Sequence, residues 1–140
     1  MNSPKTANIQ AIQIAISSQA DVIACRKTAR ETATAMGFGL ADQTRLATAV
    51  SELARNALRH AGGGIFLVHA VQSDGRNGIQ VLVEDKGPGI LDIEQAMQDG
   101  YSTDRSLGLG LPAARRLVHN MQINSKPGKT TICIDIYLPQ

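Results

Sequence analysis

Three short segments restrict this chain more than any other feature: Ser51-Glu52-Leu53-Ala54-Arg55-Asn56, Asp85-Lys86-Gly87-Pro88-Gly89 and Leu107-Gly108-Leu109-Gly110. The first sets an acid and an amide four residues apart on a helix. The second is a tight turn after a carboxylate, and the third is a glycine loop that opens another helix. A fold that uses all three must bring a helix face, a strand end and a helix start to one place. Taken in order, they are the parts of a pocket for a magnesium nucleotide, and phosphoryl transfer is the leading activity.

Hydrophobic periodicity places these segments on elements. Ile12, Ile14 and Ile16 alternate as a strand within residues 9–16. Val22, Cys25, Ala29, Ala33 and Met36 recur at helical spacing from about Gln19 to Met36, where Gly37-Phe38-Gly39 stops the helix. Asp42 is expected to cap a second helix running to about Ala61, with Leu46, Ala49, Val50, Leu53 and Ala57 on its core side. Ile65 to Val71 and Ile79 to Glu84 form strands joined through the polar turn Ser73 to Gly78. Asp92 caps a short helix reaching Met97. Gly110-Leu111-Pro112 opens a helix whose core face is Leu111, Ala114, Val118 and Met121, with Pro112 tolerated in its first turn. Ile132, Ile134, Ile136 and Leu138 alternate in a last strand, paired antiparallel with Met121 to Ser125 across Lys126-Pro127-Gly128. The expected fold class is α+β: a two-layer α/β sandwich with a mixed, mostly antiparallel sheet and helices on one face.

Composition narrows the partners. The 140 residues make one domain, 1–140, with room for a core. Aromatics are 3% of the chain, so Ile, Leu, Val and Ala must fill that core. A formal charge of +2, with no basic stripe interleaved with aromatics, argues against nucleic acid as a partner. No apolar run approaches the ~18 residues that span a bilayer, and no signal segment opens the chain. Cys25 and Cys133 lack metal or redox spacing and read as reduced thiols, so the expected location is cytoplasmic.

At ~100° per residue, Glu52 and Asn56 share nearly one helix meridian, beside the apolar stripe. A carboxylate there can accept a proton from a hydroxyl, and an amide oxygen suits Mg²⁺. Arg55 falls toward solvent. Asp85 shares the inward face of Val81 and Val83, and an inward carboxylate needs a partner; the exocyclic amine of adenine is one. Glycines after it let a flat ring approach the backbone. Gly108 and Gly110 offer backbone N–H groups at a positive helix end, with Arg105 just before them. The string Gly108-x-Gly110-x-x-Ala113 mimics a dinucleotide fingerprint, but a polar loop precedes it instead of a strand. Gly128-Lys129-Thr130 mimics a P-loop end, but Ile123 stands at the first glycine position and a strand follows. His60, His69 and His119 lack metal-ligand spacing.

The whole set, with Gly128-Lys129-Thr130-Thr131 added, resembles the GHKL superfamily of gyrase, Hsp90, histidine kinases and MutL, whose fold is the Bergerat ATPase fold. Within it, Ser-Glu-Leu-Ala-Arg-Asn, Glu-Asp-Lys-Gly-Pro-Gly-Ile, Asp-Gly-Tyr-Ser-Thr and Gly-Leu-Gly-Leu-Pro are similar to the stand-alone serine/threonine kinases of bacterial anti-sigma regulation, of the RsbT switch-kinase type. The resemblance implies ATP and Mg²⁺ as cofactors, Glu52 as general base and Asn56 as Mg²⁺ ligand. It implies Asp85 at adenine, Gly87 and Gly89 shaping that wall, Thr130 near the same Asp, and Gly108, Leu109, Gly110 and Arg105 at the phosphates. Lys129 departs from the family's usual glycine. The implied substrate is a STAS-domain antagonist protein, and the implied output is release from a stressosome scaffold followed by activation of a downstream phosphatase or sigma regulator. Two rivals stay open: an ATP-gated switch that sequesters a sigma factor or a phosphatase with little transfer, and a histidine-kinase-like ATPase domain, which would need an acceptor-histidine hairpin upstream.

Overall fold

In the computed structural model, residues 10–87 and 110–139 are described. In chain order they form β1 (Ile12–Ile16), α1 (Gln19–Met36), α2 (Leu40–Ala61), β2 (Gly64–Ser73), β3 (Arg76–Asp85), α3 (Gly110–Leu117), β4 (Asn120–Lys126) and β5 (Lys129–Tyr137). The expected Asp92–Met97 helix lies outside the described residues.

Local chemistry sets most of the boundaries. Ser18 caps α1, and the Asp21 carboxylate reaches back to the Ser17 N–H at 2.8 Å, a reciprocal cap at the helix entry. Gly37 ends α1 at φ 90°, the left-handed conformation that glycine adopts without strain. The start of α2 differs from expectation. Its N-cap is Gly39, in extended backbone and without a side-chain hydrogen bond. Asp42 is already inside the first turn, where the helix dipole favours an anion, and it pairs with Arg45 at 2.8 Å.

The hairpin between β2 and β3 is tighter than its polar composition implied. Asp74 at φ 51° and Gly75 at φ 76° form a two-residue turn, so Ser73 pairs with Arg76 and both strands run longer. Two positive φ values give the turn the twist of its flanking strands, and Asp-Gly supplies them. Helix α3 is shorter than expected. The His119 N–H already donates to the Asp135 carbonyl at 3.0 Å, and Asn120 is in register with Asp135. Sheet pairing thus takes the residues from His119 on, and Met121 belongs to β4, opposite Ile134.

The sheet runs β1-β2-β3-β5-β4. Its pairings are all antiparallel, where a mixed sheet was expected. Hairpins join β2 to β3 and β4 to β5, helices intervene between β1 and β2 and between β3 and β4, and β5 enters between β4 and β3 running opposite to both. Rows across the register alternate in burial. Phe66, Val83 and Ile132 form one buried row, and Val68, Val81 and Ile134 the next. Against these rows pack Val22, Cys25, Ala29 and Met36 of α1 and Leu46, Val50, Leu53 and Ala57 of α2. The two-layer α+β sandwich with helices on one face is therefore the observed fold. On the other face Leu67, Leu82 and Cys133 share a row that is only half-buried.

Candidate functional site

The helix-facing side of the sheet ends in polar residues where the apolar rows run out. Asp85 follows Val81 and Val83 on the buried side of β3 and is 6% exposed. Thr130 of β5 is its register partner and is 2% exposed. Ser125 of β4 meets the Thr130 hydroxyl at 2.7 Å. Three strands thus build one buried polar corner.

Asp85 Oδ1 accepts the Gly87 N–H at 2.9 Å, which closes the turn after β3. Its other oxygen has no hydrogen-bond partner among the described residues. A buried carboxylate oxygen left so is costly, and an N–H donor on a ligand satisfies it. The exocyclic amine of adenine is such a donor, so the residues present fit a purine.

Gly87 has a packing role that its sequence did not imply. A Cβ there would lie 2.7 Å from the Ala61 Cβ, and the Gly87 carbonyl accepts the Gly128 N–H at 3.1 Å. The turn is wedged between the C-terminal end of α2 and the β4–β5 turn. The missing side chain makes room for Ala61. Lys129 does not intrude on the corner, because its ammonium lies 3.5 Å from Glu84. Glu84 alternates with Asp85 and so faces the other side of the sheet.

The Gly87–Ala61 contact ties the corner to α2. At ~1.5 Å per residue, Asn56 lies about 7.5 Å and Glu52 about 13.5 Å back along that helix from Ala61. The three groups are strung along one axis, which suits an elongated ligand. Ser51, Glu52, Leu53 and Ala54 are consecutive and all buried, so the helix is enclosed at this level. Helix α3 packs against α2. Asn56 is half-buried, with no hydrogen-bond partner among the described residues. Gly110 opens α3, and among the described residues no other element comes within 4 Å of where its Cβ would stand. Gly89, Arg105, Gly108 and Leu109 lie outside the described residues.

Arg55 is the correction at this site. Instead of facing solvent, its Nη1 donates to Glu52 Oε1 at 2.9 Å, with side chains 32% and 8% exposed. A carboxylate this deeply set draws the nearest cation inward, and i,i+3 spacing on a helix provides one. That spacing was the signal in the sequence for the pair. An open hollow of about 330 Å³ touches Asp85 from the ends of β1 and β2, with Ala61, Gly63 and Lys86 in its wall. Neither Glu52 nor Asn56 lines it, so the polar string along α2 is the better candidate.

Comparison with known proteins bears on this geometry. The histidine kinase-like ATPase domain family matches residues 16–136. The chain is 42% identical over 118 residues to the serine/threonine-protein kinase RsbT of Bacillus subtilis (strain 168), covering 84% of this chain and 89% of that protein. It is 34% identical over 91 residues to the anti-sigma F factor of Caldanaerobacter subterraneus subsp. tengcongensis, covering 61% of this chain and 62% of that one. Among solved structures, the RsbU and RsbW domains of Rv1364c from Mycobacterium tuberculosis superpose with a TM-score of 0.64 at 21% identity, over 93% of this chain and 33% of that chain. The SiaB–SiaC complex from Pseudomonas aeruginosa gives a TM-score of 0.52 at 11% identity, over 93% of this chain and 91% of that chain. At such identities these two structures speak for the fold alone.

Proposed function

Since the chain belongs to the histidine kinase-like ATPase domain family, we propose that it works as an ATP-dependent protein serine/threonine kinase in a bacterial partner-switching pathway. The observation that carries the reading is the string of Glu52, Asn56 and the Asp85–Thr130 corner along α2.

When bound, ATP with Mg²⁺ supplies the transferable phosphoryl group and the positive charge that neutralises it. Asp85 holds the exocyclic amine of adenine, with Thr130 beside it in the same corner. Asn56 would hold Mg²⁺ through a neutral, hard amide oxygen, and the ion would supply positive charge at the phosphates. Gly110, with Gly108, Leu109 and Arg105 before it, presents N–H groups and a cation to the phosphates. Glu52 takes the proton of a serine or threonine hydroxyl as that oxygen bonds to the γ-phosphorus and ADP departs with the electrons of the broken bond. Positioning and electrostatics carry such a reaction, and an enclosed helix face provides both.

The acceptor in this reading is a STAS-domain antagonist protein in the cytoplasm, with a stressosome scaffold as a further partner and a phosphatase or sigma regulator downstream. Similarity to the serine kinase RsbT and to anti-sigma F factors supports that setting. The test is phosphoryl transfer from radiolabelled ATP to purified STAS-domain proteins. Glu52→Ala is expected to bind ATP normally while losing about 10²-fold or more of the transfer rate. Transfer at the wild-type rate by that variant overturns the base assignment. ATP binding with no labelling of any STAS protein favours an ATP-gated anti-sigma switch instead.

A further inference from the structure

The ion pair of Arg55 with Glu52 has a built-in control on the same helix. Asp42 and Arg45 have the same i,i+3 spacing and nearly the same distance, 2.8 Å, but their side chains are 35% and 53% exposed. That pair is an ordinary surface contact of small energetic consequence. Arg55 instead reaches a carboxylate whose side chain is 8% exposed, on the enclosed stretch of α2. The contact is made through one guanidinium nitrogen to one oxygen, Oε1. Oε2 makes no hydrogen bond among the described residues.

We propose that Arg55 is the positioning residue of the general base: it pins Glu52 Oε1 so that Oε2 is presented to the acceptor hydroxyl. The proposal rests on the assignment of Glu52 as base. Around the helix Arg55 lies about 60° to one side of the Glu52 meridian and Asn56 about 40° to the other, at ~100° per residue. The pair therefore draws the carboxylate to the side away from the amide assigned to Mg²⁺. A free carboxylate beside Asn56 is itself a hard oxygen ligand and would compete for the ion. Guanidinium is charged at every working pH and its planar fork fixes the direction of the contact, which an ammonium does not. Holding a base in place is worth rate because small misplacements are expensive in near-attack geometry.

The experiment measures kcat and KM for a STAS-domain protein that the wild-type chain labels, together with the Kd for ATP with Mg²⁺ by calorimetry and the melting temperature. Arg55→Met, which keeps the apolar stem, is expected to lower kcat about tenfold. KM and Kd should stay within about twofold, since Arg55 acts through Glu52 and touches neither ligand. Arg55→Lys should recover part of that loss, and Arg45→Met should change nothing. In a Glu52→Gln background, Arg55→Met should cause no further fall, because both changes act through the same carboxylate. A wild-type kcat for Arg55→Met overturns the proposal, as does an equal fall in both backgrounds. Should Glu52→Gln alone transfer at the wild-type rate, the base assignment is what has failed, and Arg55 falls with it.

Discussion

Asp85 shows how much a single residue is asked to do here. One oxygen closes the turn with Gly87 at 2.9 Å, while the other, without a hydrogen-bond partner among the described residues, is the acceptor we assign to a ligand. Asp85→Asn separates the two duties. An asparagine oxygen can still accept the Gly87 N–H, so the melting curve should be unchanged. The amide nitrogen would then meet the adenine amine donor to donor. A hydrogen bond to a charged group contributes about 1.5–3 kcal/mol, so nucleotide affinity is expected to drop about 10- to 100-fold by calorimetry. Unaltered affinity would place adenine elsewhere. The alternation Val81, Val83, Asp85 is by itself enough to put this carboxylate inward. The reason for Gly87 was not legible, because Ala61 meets it from another element.

At the scale of the element, α2 carries the core and the site on adjacent residues. Leu53 is fully buried, next to Glu52. Leu53→Ala is expected to cost about 2–5 kcal/mol, read as a lower urea midpoint at unchanged slope. Because the same helix positions Glu52 and Asn56, the variant should also transfer phosphate more slowly than its folded fraction accounts for. The hydrophobic stripe of α2 was legible in its sequence, and so was its end at Gly62. Its start was not. Asp42 is a good cap by type, but the chain turns helical at Leu40, and a cap has value only where the backbone is still extended. Similarly, helical spacing from Leu111 to Met121 continues past the point where β5 claims the chain for the sheet.

Across the whole molecule the sheet separates two chemically different faces, and the cysteines report on both. Cys25 lies in the helix-side core, and burial pushes its thiol up to about 12. Cys133 is on the opposite face, pushed up to about 11 by burial and then by Asp135. Both are free thiols. Their folded-state values lie above the ordinary 9.0, so the folded chain holds these protons more tightly than the unfolded one. That contribution to stability is complete below about pH 9 and is lost as pH rises toward 11 and 12. Burial also raises the Tyr137 hydroxyl, with the same sign. The urea midpoint is therefore expected to fall as pH increases above 9, and Cys25→Ala to flatten that fall. A midpoint that rises over this range would contradict the burial of Cys25. What the sequence determined by itself was the alternation of strands, the stripes of helices and the identity of the polar residues interrupting them, since each depends on neighbours within a few positions. Only the tertiary structure decided that Glu52 is buried deeply enough to draw in Arg55, that Gly87 yields its space to Ala61, and that α3 stops at Leu117. Each of those outcomes turns on what a distant element buries or pairs, and desolvation by a distant element leaves no trace in local spacing.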